Sequence, residues 1–360
     1  MERPLKVKLH IISPVHIGCD DVYEPMGFVI DEKKRRLIEF DPMDFVKILN
    51  DKQRNDFSRL CSENDLLAVF KFIKNNYKTS IGGKEVDIAS GLVGHYKDVV
   101  DRKAQINKFE IKKTAYNPYS NQPYIPGSSL KGSLRTAYLI SLAKERKITK
   151  YNGKAKDLEK ALLELEGEFS TDPFRMVKVS DFMPVGDVKT KIVYAVNKKK
   201  IRSEKPTKAD SGPPQILEVI QHGTVFEGII NIQQPLQKSG VKTPIVADKL
   251  LKSINGFYTT LNKEENKVTA EIRAGSIVVN ERFKDKAGKT AFLLRVGRHS
   301  GAEAVTIEGN RWIKISPPGK PPKFSDKGAT TIWLASEVSK PNINNGLIPF
   351  GWVVIEIISE

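Results

Sequence analysis

The sequence is poor in the residues on which disulfides, metal sites and common hydrolytic centres are built. Cys19 and Cys61 are its only cysteines, and they lie in unrelated sequence contexts. This excludes a disulfide framework and a four-cysteine zinc site, so we expect two reduced thiols. The five histidines form no HExxH pair and no pattern typical of a catalytic triad. We therefore predict that the protein uses neither a metal ion nor another cofactor.

The sequence also lacks a long apolar run. Residues 1–12 alternate between apolar and charged side chains and contain no small-residue cleavage site. We therefore predict neither a signal peptide nor a transmembrane helix, no membrane partner and a cytoplasmic location.

Positive charge, in contrast, is abundant. The chain of 360 residues carries 59 Lys and Arg against 43 Asp and Glu, a formal net charge of +16. Such an excess favours a polyanionic partner, above all a nucleic acid, through the release of counterions. Membrane-surface binding and simple solubility are alternative explanations of the charge. The hydrophobic content of 39% is enough for one large or two moderate domains.

Periodicity predicts strands and then helices in the first third of the chain. Residues 5–11 alternate apolar and polar side chains, and residues 28–30 and 37–40 flank a polar turn, which predicts a strand and then a β-hairpin. From Pro42 to about residue 76, apolar residues recur at steps of three and four, typical of amphipathic helices. Residues 78–115 show no clear period and are assigned only as a loop-rich connection.

The rest of the chain shows the same mixture of patterns. A helix is predicted to follow Gly127, and a soft boundary near residues 171–173 divides the chain. A basic segment without apolar spacing, residues 197–214, separates two β patterns and predicts a long hairpin with a basic tip. The other elements predicted here are strands at 191–196, 216–232, 291–296, 331–334 and 352–357 and a helix at 244–261.

Glycines, hydroxyls and basic residues cluster where the helix after Gly127 begins. The cluster consists of Gly127, Ser128, Ser129, Lys131, Gly132 and Arg135. Free amides and the positive end of a helix dipole attract an anion, and two basic side chains on one helix face would neutralise neighbouring phosphates. The alternative is a helix capped by Ser128 or Ser129 with a solvated basic face. A Walker loop is excluded, because Lys131 precedes Gly132 instead of following it.

Four segments of the chain resemble one protein family. Residues 126–135, Pro-Gly-Ser-Ser-Leu-Lys-Gly-Ser-Leu-Arg, resemble the hallmark motif of the RAMP superfamily, the ferredoxin-like RNA-binding proteins of CRISPR systems. Residues 13–18, Ser-Pro-Val-His-Ile-Gly, resemble the motif at the end of the family's first strand. Residues 294–301 resemble its C-terminal glycine-rich loop, and residues 349–353 its terminal strand. The resemblance therefore extends over nearly the whole chain.

The resemblance implies an α+β fold of two ferredoxin-like (RRM-like) RAMP units, residues 1–172 and 173–360. A helical insertion at about 42–116 interrupts the first unit. The second unit would carry a basic thumb hairpin at about 187–218 and a glycine-rich loop at 295–301. The family's filament-building subunits have no counterpart of the insertion, which indicates a specialised, single-copy member.

The resemblance also implies a function in antiviral defence. The chain is similar to RNA-binding subunits of the type III-A CRISPR Csm effector complex, most of all to the subunit that caps the crRNA near its 3′ end and supports crRNA maturation. Its partners would be crRNA, the other RAMP and small helical Csm subunits, and a recruited maturation nuclease. The main alternative is the subunit that binds the 5′ handle, which has the same fold and general motifs.

The residues expected to contact RNA come from all these segments. Besides the cluster that begins at Gly127, they are His16, Lys198, Lys199, Lys200, Arg202, Arg295, Gly297, Arg298, His299, Ser300 and Gly301. The lysines and Arg202 would form the thumb, and the glycine-rich loop would offer amides to a phosphate or a ribose. The plainer interpretations are a solvated basic loop and a tight turn with an incidental arginine.

We predict that this subunit has no catalytic activity. His16 could act as a general base on a ribose 2′-hydroxyl, as in RAMP-type endoribonucleases, but no partner acid stands near it in the sequence. It could equally hydrogen-bond the strand end or stack on a nucleotide. The family's multi-copy subunits cut target RNA with an aspartate after the first motif. Asp20, Asp21 and Glu24 of this chain do not align firmly with that position.

Overall fold

The structure is a computed structural model that describes residues 4–63, 65–101, 109–167, 169–201, 213–315 and 321–358. Its helices are α1 (Pro42–Lys47), α2 (Asp51–Ser62), α3 (Leu66–Asn76), α4 (Ser90–Val100), α5 (Gly127–Glu145), α6 (Ala155–Leu163) and α7 (Ala247–Glu271). Within the described ranges, no helix is long and apolar enough to cross a membrane.

The strands follow in chain order. They are β1 (Leu5–Ile11), β2 (Gly18–Val22), β3 (Phe28–Asp31), β4 (Arg36–Glu39), β5 (Lys84–Ile88), β6 (Ile111–Thr114), β7 (Tyr116–Asn117), β8 (Gln122–Pro123), β9 (Val177–Val179), β10 (Met183–Pro184), β11 (Thr190–Lys199), β12 (Gln215–Ile220), β13 (Val225–Ile232), β14 (Ala291–Arg295), β15 (Ile313–Ile315), β16 (Lys323–Ser325), β17 (Thr331–Ser336), β18 (Ile348–Pro349) and β19 (Trp352–Ile358).

The first sheet has the strand order of a ferredoxin-like unit. Its order is β10-β13-β1-β19-β14, and β9 also pairs with β13. β1 lies antiparallel between β13 and β19, so strands from opposite ends of the sequence are neighbours. The chain runs from β1 through α5 to β9 and β10, and β13 then inserts antiparallel between them and β1. This is the split βαβ arrangement.

One face of the first sheet packs against α5 and α7 to form the main core. The alternation in β1 buries Val7, Leu9 and Ile11, each at most 1% exposed. On α5, the four-residue step from Leu130 to Leu134 places two fully buried side chains on the face toward the sheet. Each such leucine stabilises the fold by about 1.5–3 kcal/mol through burial of apolar surface. The predicted strand and the predicted helix are both confirmed.

The second sheet has the order β2-β6-β12-β11-β5-β4-β3, with β17 and β18 attached to β11. β3 and β4 form the predicted first hairpin, and β11 and β12 form the predicted second one. β5 and β6 lie in the stretch assigned as loop-rich. They are short, and each pairs in parallel with a strand far along the chain, β11 and β12 respectively. Such pairing leaves no local pattern in the sequence.

The insertion at 42–116 is helical, as expected, but it is continuous with the second sheet. α1, α2 and α3 pack around a small core that includes Phe45 and Phe57 and covers Val29 and Ile38 of the β3–β4 hairpin. α4 belongs to the second sheet's own core through Tyr96, which is fully buried. The insertion also supplies β5 and β6. It is therefore an integral part of the fold.

Both sheets take strands from either side of residue 172. In the first sheet, β1 pairs with β13 and β19, and in the second sheet, β2 and β6 lie beside β12 and β11. The α+β architecture expected from the sequence is confirmed. The expected division at 172/173, in contrast, does not coincide with a boundary between the sheets.

Candidate nucleic-acid interface

Three sequence motifs that are far apart in the chain meet at one groove. A cavity of about 440 Å³ is lined by Ile17 and Gly18 from the first motif, by α5 and by the loop that follows β14. We call this cavity the motif groove. From α5, Ser129, Gly132, Ser133 and Thr136 line it, and from the loop after β14, Gly297, Arg298 and Ser300 do so. The groove is therefore formed by three segments that sequence analysis identified as separate motifs.

The first motif crosses from one sheet to the other, and hydrogen bonds fix it at both ends. Ser13 Oγ accepts a hydrogen bond from the amide of Trp352 at 2.9 Å. The amide of Ile17 donates to Oγ1 of Thr114 at 3.1 Å, and Gly18 then begins β2. The motif is therefore anchored to β19 of the first sheet and to β6 of the second.

The glycine-rich loop after β14 lies directly on the first motif. Gly297 has a φ of 80°, in the left-handed region that favours glycine. A Cβ at this position would lie 2.5 Å from the carbonyl oxygen of His16, so there is no room for a side chain. The same oxygen accepts a hydrogen bond from the amide of Arg298 at 2.9 Å. Ser300 Oγ donates to the Gly297 carbonyl at 2.7 Å and holds the loop in this conformation.

α5 presents small residues to the groove. Ser129, Gly132, Ser133 and Thr136 share one face because their spacing follows the helical repeat. A Cβ added at Gly132 would meet no atom within 4 Å, so the floor of the groove is open there. Ser133 Oγ donates to the Arg295 carbonyl at 2.6 Å and ties the helix to the end of β14. Small side chains at this surface leave room for the backbone of a ligand to approach.

The N-terminus of α5 already has a carboxylate partner. The amide of Gly127 donates to Oδ1 of Asp181 at 2.8 Å. Pro126 is the N-cap, and no side chain caps the helix, so the expected capping by Ser128 or Ser129 is wrong. One amide of the predicted anion site is thus already bonded to a carboxylate of the protein itself. Asp181 was not predictable, because it reaches the helix only through the pairing of its neighbours with β13.

The basic residues of α5 lie on a different face from the groove. Arg135 Nη1 is 2.8 Å from Oδ2 of Asp172, and Nη2 is 3.1 Å from Oε2 of Glu159. Lys131 lies on the same face as Arg135, and partial burial and the charge of Lys178 lower its pKa. Neither side chain lines the motif groove, and a phosphate contact by Lys131 or Arg135 outside the groove stays a prediction. Arg135 instead ties α5 to the segment around Asp172.

Arg295 lies beneath the groove. Its side chain is almost fully buried, Nε donates to the Phe350 carbonyl at 2.9 Å, and Nη1 pairs with Glu265. Glu265 also accepts a hydrogen bond from Nε1 of Trp352 at 2.6 Å. Buried charges are tolerated when they are paired and hydrogen-bonded in this way. Nη2, however, has no hydrogen-bond partner among the described residues and Arg295 is one of the residues that line the groove, so its contact with RNA stays a prediction.

Arg298 is the basic side chain of the loop that faces solvent. Its side chain is 49% exposed, and it lies against Gly18, where an added Cβ would be 2.9 Å from Arg298 Nε. Its nearest carboxylate is the largely exposed Asp20, at 3.6 Å. A second cavity of about 190 Å³ continues from the motif groove past Arg298 to Lys112 of β6. Sequence reasoning did not select Lys112, because no motif marks it and only the pairing of β6 with β2 brings it here.

The two histidines of the motifs are shielded from solvent to different degrees, His16 fully buried and His299 of the loop partly buried, and this lowers the pKa of both. His16 is fully buried, and its Nδ1 lies 2.8 Å from the carbonyl oxygen of Glu218. Burial lowers the pKa of His16. The ring of His299 packs on Trp333 and Phe350, with centroids 4.6 and 5.4 Å away. Burial, with further contributions from the neighbouring His16 and Arg298, lowers the pKa of His299 to about 4.

The expected thumb is a hairpin whose base the structure describes. β11 and β12 pair in antiparallel register from Thr190 and Ile220 onward. Lys198 Nζ donates to the Pro341 carbonyl at 3.1 Å, and Lys200 forms an ion pair of 2.6 Å with Glu303. Lys199 is exposed. Arg202 and the rest of the expected basic tip, residues 202–212, lie outside the described residues.

The chain belongs to the RAMP superfamily, whose family description matches residues 8–296. This confirms the resemblance inferred from the motifs. The chain is also similar to a Methanocaldococcus jannaschii protein named CRISPR system Cms protein Csm5, with 31% identity over 192 residues, 49% of this chain. The matched part covers 42% of that relative and 52% of the Streptococcus thermophilus Csm5, so the chain matches about half or less of the length of these curated relatives.

Two solved structures share the fold over nearly the whole chain. One is a chain of the cryo-EM structure of a Csm–crRNA–target RNA ternary complex of a type III-A CRISPR-Cas system, with a TM-score of 0.64 and 20% identity. It covers 98% of this chain and 100% of that one. The other is the crystal structure of T. onnurineus Csm5, with a TM-score of 0.57 and 18% identity over 96% of this chain and 99% of that one.

Proposed function

We propose that this chain is a non-catalytic, crRNA-binding subunit of a type III-A Csm effector complex. The observation that carries the proposal is the motif groove, where three RAMP motifs converge around small side chains and the exposed guanidinium of Arg298. The similarity to Csm5 proteins supports the type of complex. The other Csm subunits would be the protein partners.

The composition of the groove suits the sugar–phosphate backbone of single-stranded RNA. Gly132 and the hydroxyls of Ser129 and Thr136 give a smooth polar floor, and Arg298 and Lys112 supply positive charge along one edge. Backbone contacts of this kind position an RNA without reading its sequence. A subunit that must accept any guide sequence needs this property.

We further propose that the chain binds near the 3′ end of the crRNA and ends the filament there. The helices α1, α2 and α3 give the RAMP core an additional element, and this element packs on the β3–β4 hairpin at the edge of the second sheet. An extra element over one edge would block addition of a further subunit by steric exclusion. The 5′-handle-binding subunit is the competing assignment.

The buried position of His16 supports a subunit without ribonuclease activity. Its imidazole is fully enclosed, and Nδ1 is held by the Glu218 carbonyl. A general base must come within hydrogen-bonding distance of the hydroxyl that it deprotonates. His16 could do so only after the glycine-rich loop had left its position. Asp20, the acid closest to the groove's arginine, is engaged by Arg298 at 3.6 Å.

Site-specific crosslinking in a reconstituted complex tests the proposal. A photoreactive benzoylphenylalanine at Thr136, in the groove, should crosslink to crRNA, and the same group at Leu236, which is 85% exposed and outside the groove, serves as control. Crosslinks from position 136 to nucleotides near the 3′ end are expected. Crosslinks to the 5′ handle would show that the chain is the 5′-handle-binding subunit instead. Absence of any crosslink to RNA would refute the proposal that RNA binds in the motif groove.

A further inference from the structure

An exposed aromatic pair lies on a small hairpin that no sequence motif marked. β15 and β16 form a separate two-stranded sheet, with Lys314 directly opposite Phe324. The rings of Trp312 and Phe324 stack on each other, with centroids 4.7 Å apart and planes inclined by 19°. Trp312 is nevertheless 76% exposed and Phe324 50% exposed. The outer face of the indole is therefore open to solvent.

The aromatic pair shares its face of the hairpin with a cation. Phe324 is paired with Lys314, so their side chains point to the same side of the hairpin, and the stack with Phe324 places Trp312, which directly precedes β15, on that side as well. Lys323 and Lys327 are also exposed, against one exposed acid, Asp326. The hairpin thus combines stacking surface with positive charge. A polyanion that carries flat rings is the complementary ligand.

The hairpin is attached to the motif groove. Ala304 and Val305 line the groove a few residues before β15 begins. Glu303, next to them, accepts a hydrogen bond from the amide of Ala329 at 2.7 Å, which fixes the chain that leaves β16. Glu303 also pairs with Lys200 at the end of β11. The chain on both sides of the hairpin is therefore connected, through Glu303 and its neighbours, to the groove and to the thumb base.

We propose that Trp312 and Phe324 form a stacking platform for a base of single-stranded RNA that runs out of the motif groove. A base would stack on the open face of Trp312, and Lys314 would contact the adjacent phosphate. Stacking on an aromatic side chain tolerates any base, because every base has a π-face. The platform would therefore add affinity without adding sequence preference. This inference rests on the proposed RNA binding and assigns a second contact region to it.

The test measures binding of oligouridine of about 12 nucleotides, a length within the usual site sizes for single strands, by fluorescence anisotropy with the full chain. Trp312→Ala should weaken binding about fivefold or more, the loss expected for one stacked base. Trp312→Phe, which keeps an aromatic ring, should stay within about twofold of the unchanged protein. Phe169→Ala is the matched control, because Phe169 is 73% exposed and its ring contacts Arg175 and not the hairpin's aromatic pair.

Two further measurements distinguish stacking from charge. Trp312→Ala should shift the dissociation constant at every salt concentration without changing the slope against salt, since stacking releases no counterions. Tryptophan fluorescence should be quenched by oligouridine in the unchanged protein, and Trp312→Phe should abolish most of that quenching. Trp352 is fully buried and Trp333 is only partly exposed, so Trp312 is the indole that meets the RNA.

The outcomes separate this inference from the proposed function. If the unchanged protein binds oligouridine and Trp312→Ala binds equally well, the platform is refuted and RNA binding by the groove stands. If Trp312→Ala keeps its RNA affinity but no longer joins other Csm subunits, the aromatic pair is a protein-docking surface and the inference is again wrong. If the unchanged protein does not bind oligouridine at low salt, the proposed function fails as well.

Discussion

Gly297 and His16 touch through their backbones, and the contact holds two sequence motifs together. A side chain at Gly297 would place its Cβ 2.5 Å from the His16 carbonyl oxygen, and that oxygen also accepts the amide hydrogen of Arg298. The glycine-rich loop and the end of the first motif thus behave as one unit. The position of Arg298 in the groove depends on this contact.

Gly297→Ala should therefore destabilise the protein by about 3 kcal/mol, because left-handed backbone strain and a steric clash act together. Gly186→Ala is the matched control: Gly186 has nearly the same φ, 79° against 80°, but an added Cβ would meet nothing within 4 Å. The control should lose only about 1 kcal/mol. Urea unfolding of both variants measures the difference, and equal losses would show that the contact with His16 is unimportant.

The two glycines of α5 should respond in opposite directions to the same substitution. Gly127→Ala would place a Cβ 2.3 Å from the Val179 carbonyl oxygen and should destabilise the protein by about 1–3 kcal/mol. Gly132→Ala meets open space inside a helix and should stabilise it by up to about 1 kcal/mol. Thermal unfolding gives the sign of each effect.

The same helix allows a test of the groove without loss of stability. Gly132→Leu should fold well, because the position is open, yet its side chain would occupy the groove and weaken RNA binding. A Gly132→Leu variant that binds RNA as tightly as the unchanged protein would place the RNA elsewhere.

Replacement of Arg298 should affect RNA binding, whereas replacement of Arg135 should affect the stability of the fold. Arg298→Gln should reduce the magnitude of the slope of log affinity against log salt by about 0.7, the value for one phosphate contact on single-stranded RNA. Arg135→Gln should leave that slope unchanged and lower the melting temperature, because Asp172 is 7% exposed and would lose its charged partner. A reduced slope for Arg135→Gln would instead show that Arg135 contacts a phosphate of the RNA, as expected from the sequence.

Stability should fall in mild acid because His299 must be neutral in the folded protein. Its pKa is lowered to about 4, against an ordinary value near 6.5 in the unfolded chain. The free energy of unfolding that the neutral His299 adds is therefore fully present above pH 6.5. It decreases as the pH falls toward 4, by up to about 1.4 kcal/mol per pH unit.

His299→Asn is the appropriate variant for this measurement. The residue has a φ of 63°, a conformation that asparagine tolerates well. Unfolding free energies at pH 7, 6, 5 and 4 should decline less steeply for the variant than for the unchanged protein. Parallel declines would mean that another group, such as His16, causes the acid sensitivity.

A protein without the insertion, residues 42–116, should fail to fold. Deletion of residues 42–116 takes away β5 and β6, which lie inside the second sheet, and the buried Tyr96 of α4. We expect an aggregated or unfolded product by size-exclusion chromatography and circular dichroism. A soluble, cooperatively folding deletion protein would show that the insertion is a separable module.

Local patterns were sufficient for the elements that bury one face against a core. The alternation of β1, the polar turn between β3 and β4, and the apolar spacing of α5 each indicated the element that the structure contains. β2 was not predicted, because its residues are exposed or half-exposed and carry no apolar signal. That both sheets take strands from either side of residue 172 was not predictable for a related reason, since pairing between distant strands has no local signature.

At the candidate site, too, contacts between distant parts of the chain could not be predicted from local sequence patterns. The sequence correctly singled out the motifs that meet at the groove, but it could not tell which of their side chains point into it. The sequence does not show, for example, that Arg295 and Arg135 each face a carboxylate partner from another element. Lys112 and the Trp312–Phe324 pair carry no motif at all. The roles proposed for them rest only on their tertiary neighbours.

The position of β1 has a consequence for the synthesis of the protein. This strand is made long before one of its two neighbours, β19. While the chain is still being translated, β1 therefore has an unpaired edge, and the sheet cannot close until Trp352–Ile358 has left the ribosome. Contacts over such a sequence distance form slowly. We expect nascent chains to hold β1 in an aggregation-prone state until β19 has been made, so that yield should depend on chaperones that bind ribosome-associated chains.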